Sequence, residues 1–230
     1  VKTDSFNTRA YLAQLPLFAD LADAERERLA LACEPRRLAR GDMVFRVGEP
    51  CQAFHVVVVG QVKLFVTNAE GQEKVIELVG PGHSFAEALM FLNQPYFLNA
   101  QTLADTLLIN IRKDILFKEI EHDPRLAMRM LAGLSRRLHG LVQDVESYAL
   151  HSGMQRLIGY LLREVPTGAE AGAPRVNLPV SKATLASRLS LTPEYFSRVL
   201  HELEAQGLVA VDKRDITILD AQRLAAYGAR

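Results

Sequence analysis

The sequence predicts an α+β protein in three parts: an N-terminal antiparallel β-barrel or jelly-roll sensor domain over 1–124, a long dimerisation helix over 125–149, and a C-terminal winged helix-turn-helix over 150–230. Three observations carry that expectation. Glycines punctuate short runs of β-branched and aromatic residues between Leu38 and Arg112. A heptad seam runs from Ala127 to Tyr148. Two capped amphipathic segments flank a tight turn near the C-terminus, with two short strand-like runs behind them.

Ahead of the strands, residues 8–32 read as short helices. "LPLFADLADAERERLA" has helical apolar spacing, a turn at Asp20 and a cap at Asp23. Gly41, Gly48, Gly60, Gly71, Gly80 and Gly82 then separate "AFHVVVVG", "QVKLFVT", "EKVIELV" and "DTLLINI". "NAEGQ" at 68–72 predicts a hairpin turn. A helical island around Ala86–Phe91 interrupts the series. Many short strands without long helices between them argue for an antiparallel barrel or sandwich.

The helix from Arg125 carries Ala127, Leu131, Leu134, Leu138, Leu141, Val145 and Tyr148 in alternating steps of four and three. Such a seam suits a parallel coiled coil between two copies. The plainer alternative is a helix packed on its own barrel, but the sustained register favours a homodimer.

Beyond it lie an amphipathic helix over 154–164, a small-residue loop "VPTGAEAGAPR" and a short strand "VNLP". Ser181 caps a helix to about Arg188, Leu189–Leu191 make a turn, and Thr192 caps a second helix that Gly207 ends. Pro193 and Glu194 suit its first turn. Ala183, Leu185, Ala186 and Leu189 are spaced to face Phe196, Val199, Leu200 and Leu203. "LVAV" and "ITIL" around "DKRD" make a two-stranded wing.

Composition narrows the function. The chain has 230 residues, 49% of them hydrophobic, and no formal net charge, which argues against a sequence-blind nucleic-acid coat. Residues 150–230 hold ten Lys/Arg against eight Asp/Glu, so any DNA binding depends on placement. Cys33 and Cys51 form neither a disulfide scaffold nor a CxxC site, which fits a reducing, cytoplasmic location. No run is apolar enough to span a membrane and no signal-peptide pattern opens the chain. The strand region holds His55 and His83 without HxH or HxxxH spacing, which argues against a metalloenzyme on a cupin-like barrel; no catalytic residues are expected.

Glu194, Ser197 and Arg198 lie at i, i+3 and i+4 and share a helix face. On a recognition helix in the major groove, Arg198 offers two donors to guanine, Glu194 accepts from cytosine, and Ser197 meets a neighbouring base edge. Ser181, Lys182, Thr184 and Thr192 are placed for phosphates, as are Lys213 and Arg214 on the wing. The alternative is a solvated polar face with an incidental Glu–Arg pair. The caps, turn and wing favour reading of double-stranded DNA.

With those residues in view, the chain resembles the Crp/Fnr superfamily of bacterial transcription regulators over nearly its whole length. The E-x-x-S-R form at Glu194, Ser197 and Arg198 looks like the Fnr-type head, which implies palindromic sites with TTGAT-like half-sites. Where such a protein activates transcription, RNA polymerase is a further partner. The cyclic-nucleotide-binding-like cassette runs through "GHSFAEALMFLNQPYFLNA". Glu87 matches its ribose-binding acid, but Ala86 replaces a usual glycine, and Phe97 and Leu98 replace the Arg and Ser that hold the cyclic phosphate. Cyclic AMP is therefore not expected, nor is an iron–sulfur cluster, which needs four cysteines. "EGQEKVIELV", "FAEALMF" and "SRRLH" are similar to the Dnr subgroup of denitrification regulators. That kinship implies a haem cofactor and a response to nitric oxide. The expected effector pocket comprises His83, Phe85, Glu87, Phe91, Tyr96, Phe97 and Leu98, with His83 either the axial metal ligand or a loop histidine bonded to the backbone. Three rivals stay open: another small effector, a vestigial effector-independent sensor, and a dimeric interaction module without DNA binding.

Overall fold

The computed structural model describes residues 6–15, 18, 21–165 and 174–228. The chain divides into two compact units. The first comprises Val1–Glu70 and Ile76–His139, and the second Gly71–Val75 and Gly140–Arg230. The expected turn at Asp20 and most of the small-residue loop fall outside the described residues.

In the first unit, α1 (Thr8–Leu12) and α2 (Asp23–Leu31) precede the strands. Ala22, not Asp23, is the N-cap of α2, and the Glu25 carboxylate accepts from its N–H at 2.8 Å. The strands are β1 (Cys33–Leu38), β2 (Met43–Phe45), β3 (Ala53–Val59), β4 (Val62–Thr67), β5 (Glu73–Val79, whose first three residues belong to the second unit) and β6 (Ser84–Phe85). After α3 (Glu87–Leu92) come β7 (Asn99–Thr102) and β8 (Thr106–Arg112). They form two four-stranded sheets, ordered β1-β8-β3-β6 and β2-β7-β4-β5. Phe54, Val56, Ile109 and Ile111 from the first sheet share one core with Phe45, Val62, Leu64 and Ala100 from the second. At the β3–β4 turn Gly60 has φ +90°, and a Cβ there would sit 2.4 Å from Thr106 Oγ1. Only glycine fits that approach.

Neither sheet closes, which corrects the expected barrel or jelly roll. Closure needs a continuous ladder around all the strands. Here β2 has three residues and β6 two. Directly after β6 the backbone turns left-handed at Ala86 (φ 74°) and enters α3, so pairing ends at that edge. The α+β class stands.

Two helices follow. One of them, α4 (Lys113–His122), has no counterpart in the sequence-based expectation; it buries Leu116 and holds Glu119 against Arg28 through two 2.9 Å hydrogen bonds. The long helix α5 (Pro124–Leu150) buries Leu126 and Met130 in the core of the first unit. Leu131, Leu138 and Val145 of its heptad seam are 55%, 64% and 66% exposed, a stripe this single chain leaves uncovered.

In the second unit α6 (Gly153–Arg163) starts from a capping box between Ser152 and Gln155. Next come β9 (Arg175–Asn177), α7 (Lys182–Arg188), α8 (Pro193–Ala205), β10 (Val209–Asp212), β11 (Asp215–Ile218) and α9 (Ala221–Gly228). The wing is a three-stranded sheet, β10-β11-β9, because β9 pairs Val176 opposite Ile216. Leu157, Leu161, Leu185, Leu200, Leu203 and Ile216 are buried, while Ala183 is exposed. Gly207 (φ +64°) ends α8, and Leu208 N–H reaches back to Leu203 O at 3.0 Å.

Candidate nucleic-acid interface and ligand cavity

Local chemistry sets the helix pair of the second unit. Ser181 Oγ accepts from Thr184 N–H at 3.1 Å at the start of α7. Ser190 takes a left-handed φ of 56° in the turn, and Leu191 N–H donates to Ala186 O at 2.9 Å. Thr192 Oγ1 accepts from Tyr195 N–H at 3.2 Å, and Pro193 opens α8. Arginines from the preceding helices hold the turn. Arg156 Nε donates to Leu189 O at 2.9 Å, and Arg188 donates to Tyr148 OH at 2.6 Å and to Asp144 Oδ2 at 2.5 Å. Sequence reasoning missed these supports, because each joins residues 33 or more apart.

With that frame set, α8 splits into two faces. Phe196, Val199, Leu200 and Leu203 are buried, while Glu194, Ser197 and Arg198 are exposed. The Arg198 guanidinium lies 4.8 Å from the centroid of the Tyr195 ring. Among the residues read as phosphate contacts, Ser181 and Thr192 spend their side-chain oxygens as caps, and Thr184 Oγ1 lies 2.8 Å from Ser181 Oγ. Lys182 is half-buried, and Lys213 and Arg214 are exposed in the β10–β11 turn. His201 is also exposed, with Nδ1 3.9 Å from Glu204 Oε2.

The first unit contains a cavity of about 780 Å³ between the strand region and α5. Its wall combines apolar residues such as Leu15, Phe18, Val56 and Met130 with five charged side chains, Glu77, Glu87, Arg129, Arg136 and Arg137, and His83 beside them. Arg137 is the hub. It donates to Glu87 Oε2 at 3.4 Å, to Ser84 O at 3.3 Å and to Glu77 Oε2. Arg129 lies 3.8 Å from Asp123 Oδ2. Asp123 is held below the usual carboxylate range by its hydrogen bond from Arg125.

Of the residues expected in the pocket, His83 and Glu87 line this cavity. Phe85 and Tyr96 lie in the core, Phe91 meets Phe117 edge-on at 5.5 Å, Phe97 is 66% exposed and Leu98 is buried. The core pair surrounds His55: Tyr96 stacks on Phe45 at 3.6 Å, and Phe85 lies 5.0 Å from the imidazole. His55 Nδ1 is 2.8 Å from Asn110 Oδ1, and Nε2 is 3.2 Å from Tyr96 OH. Burial pushes this imidazole down to about 4, so it is neutral at ordinary pH.

These placements correct the haem expectation. Of the aromatic residues expected around a porphyrin, Phe85, Phe91, Tyr96 and Phe97 do not line the cavity, and two glutamates and three arginines do. His83 is an exposed loop residue whose Nδ1–H donates to Pro81 O at 3.1 Å. Among the described residues no group of three His, Cys, Asp or Glu is placed to hold a metal ion. No helix among them is long and apolar enough to cross a membrane.

Two family models match the chain: a cyclic nucleotide-binding domain over residues 35–123 and a Crp-like helix-turn-helix domain over residues 155–227. A cyclic AMP receptor protein of Thermus thermophilus is 30% identical over 91% of this chain and 94% of its own length. A CRP-like cAMP-activated global transcriptional regulator of Mycobacterium tuberculosis is 24% identical over 93% and 96%. The crystal structure of DNR from Pseudomonas aeruginosa is 34% identical over 96% and 98%, with a TM-score of 0.52. The first match, to a cyclic nucleotide-binding domain, goes against the expectation that cyclic AMP is not a ligand. Phe97 and Leu98, which stand in place of the phosphate-binding Arg and Ser, do not line the cavity, whereas three arginines of α5 do.

Proposed function

The chain belongs to the Crp/Fnr superfamily of transcription regulators, and we propose that it is a homodimer reading palindromic TTGAT-type sites under the control of a small organic anion. As a DNA-binding regulator it is related to transcription factors and not to enzymes. The match to a cyclic nucleotide-binding domain and the lack, among the described residues, of a group placed to hold a metal favour another effector over the haem and nitric-oxide reading.

The observation that carries the DNA reading is the exposed face of α8. Glu194, Ser197 and Arg198 project from a helix whose opposite face is buried in a winged core. Arg198 addresses the guanine of the half-site, Glu194 its paired cytosine, and Ser197 the adjacent base. Lys182, Lys213 and Arg214 supply phosphate contacts that set register. The exposed stripe of Leu131, Leu138, Leu141 and Val145 meets its equivalent on a second copy, which gives the two reading heads a palindrome requires.

The cavity supports the effector reading. An entering anion meets Arg136 and draws Arg137 away from Glu87 and Glu77, and the released Glu87 carboxylate accepts from a ligand hydroxyl. The ligand therefore competes with an ion cluster already in place. Binding shifts the populations of two states through α5, whose residues line the cavity and whose C-terminal part belongs to the DNA-reading unit.

Two measurements test this. In a band-shift assay the palindrome is expected to bind far more tightly than one half-site; equal affinity contradicts a dimeric reader. In calorimetry, cyclic AMP or cyclic GMP is expected to bind once per chain and to do so more weakly in Arg136→Ala. Absence of heat with both on folded protein removes cyclic nucleotides from the proposal.

A further inference from the structure

Arg198 does not stand alone on its helix. Its guanidinium carbon lies 4.8 Å from the centroid of the Tyr195 ring, one turn earlier on α8. That is a cation–π distance. The ring in turn rests on the first residue of α6. A Cβ added at Gly153 would lie 2.6 Å from Tyr195 Cε1, 3.2 Å from its Cζ and 2.7 Å from Leu191 Cδ2. Only a residue without a side chain lets the α6 backbone come so close. Tyr195 is half-buried although it lies between exposed Glu194 and the reading face. Its own N–H is tied to Thr192 Oγ1 at 3.2 Å. Gly153, Tyr195 and Arg198 thus form a stack within one unit, from a helix backbone to the group that meets DNA.

We propose that Tyr195 is a specificity-determining positioning residue, seated on Gly153, that holds the Arg198 guanidinium for two-point contact with guanine. The inference rests on the reading of α8 as the base-reading helix. A free arginine side chain samples many rotamers and loses that freedom on binding. An aromatic platform reduces the loss. The advantage goes to the base pair Arg198 reads, because a two-point pair with guanine depends on the plane of the guanidinium. Phosphate contacts made elsewhere on the protein do not depend on that plane.

The test measures affinity at fixed salt for a TTGAT–N4–ATCAA duplex and for a partner with both half-site G·C pairs changed. Tyr195→Leu is expected to lower the preference for the first duplex by about two- to five-fold, the scale of an exposed cation–π contact. Affinity for the changed duplex and the salt dependence should hold. Tyr195→Phe keeps the ring and the preference. Gly153→Ala, which displaces the ring, lowers the preference with Tyr195 intact. In an Arg198→Ala background Tyr195→Leu should have no further effect on the ratio, which shows that it acts through Arg198. Equal weakening on both duplexes would make Tyr195 a packing residue and overturn the proposal, as would an unchanged ratio in Tyr195→Leu. If the wild type has no preference, the reading of α8 itself fails, and that outcome is distinct from either.

Discussion

Arg137 and Arg198 are the same side chain in opposite circumstances. Arg137 sits in the wall of the sensor cavity, 27% exposed at the side chain, and bonds to two carboxylates and a carbonyl of its own chain. Arg198 is exposed on α8, and an aromatic ring is its contact. The charge of the first is committed to the fold. The charge of the second is exposed, and in the proposed function it is the one offered to DNA. On the proposed function, a ligand entering the cavity exchanges ion pairs and acts as a switch, whereas DNA meets a reading face already in place.

Removing each arginine sharpens the contrast. Arg137→Ala leaves Glu87, a 7%-exposed residue, with its carboxylate unpartnered. Loss of one member of a buried ion pair costs about 3 to 5 kcal/mol, and the partial exposure of Arg137 places this case at the lower end. Thermal or denaturant unfolding of the sensor unit reads it. Arg198→Ala is expected to change stability by less than about 0.5 kcal/mol, as exposed substitutions do. If both variants unfold alike, the contrast collapses.

The next effect belongs to pH. His55 is buried neutral, with its folded value at about 4 against an ordinary 6.5. Between those values the unfolded chain binds the additional proton, so stability falls as pH drops through 6.5 toward 4. The span corresponds to at most about 3 kcal/mol. Unfolding measured at pH 7 and at pH 4.5 should show the sensor unit weakened, and His55→Gln should flatten the dependence. The smallest effect is a cap. Thr192→Ala removes the acceptor for Tyr195 N–H and should cost the DNA-reading unit about 1 kcal/mol.

The same pair of regions shows what was legible in the sequence. The reading head follows local rules: a cap at Thr192, a proline at the first turn, i, i+3, i+4 spacing, and Gly207 at the end. Each acts within a few residues, and α8 runs over Pro193–Ala205 as that pattern implies. The cavity follows no such rule. Arg137 and Glu77 are 60 residues apart and meet through the packing of α5. Leu131, Leu138 and Val145 repeat at the heptad spacing of a coiled-coil seam, and Arg129, Arg136 and Arg137 share a face at i, i+7 and i+8, but nothing local says what that face meets. Phe97 shows a second limit. Its place in the cassette suggested a pocket residue, but alternation along the approach to β7 turns Tyr96 and Leu98 inward and Phe97 to solvent. Closure of the sheets was also beyond reach, since it depends on edge strands as short as β6.

The central claim is that α8 reads base pairs through Arg198. The most direct test is fluorescence anisotropy at fixed salt, with wild type and Arg198→Ala each titrated against the TTGAT–N4–ATCAA duplex and its G·C-changed partner. A changed base pair typically costs about 1 to 3 kcal/mol. The account predicts that the wild type prefers the first duplex by at least about ten-fold, and that Arg198→Ala binds the two nearly alike. Equal binding of both duplexes by the wild type would contradict it.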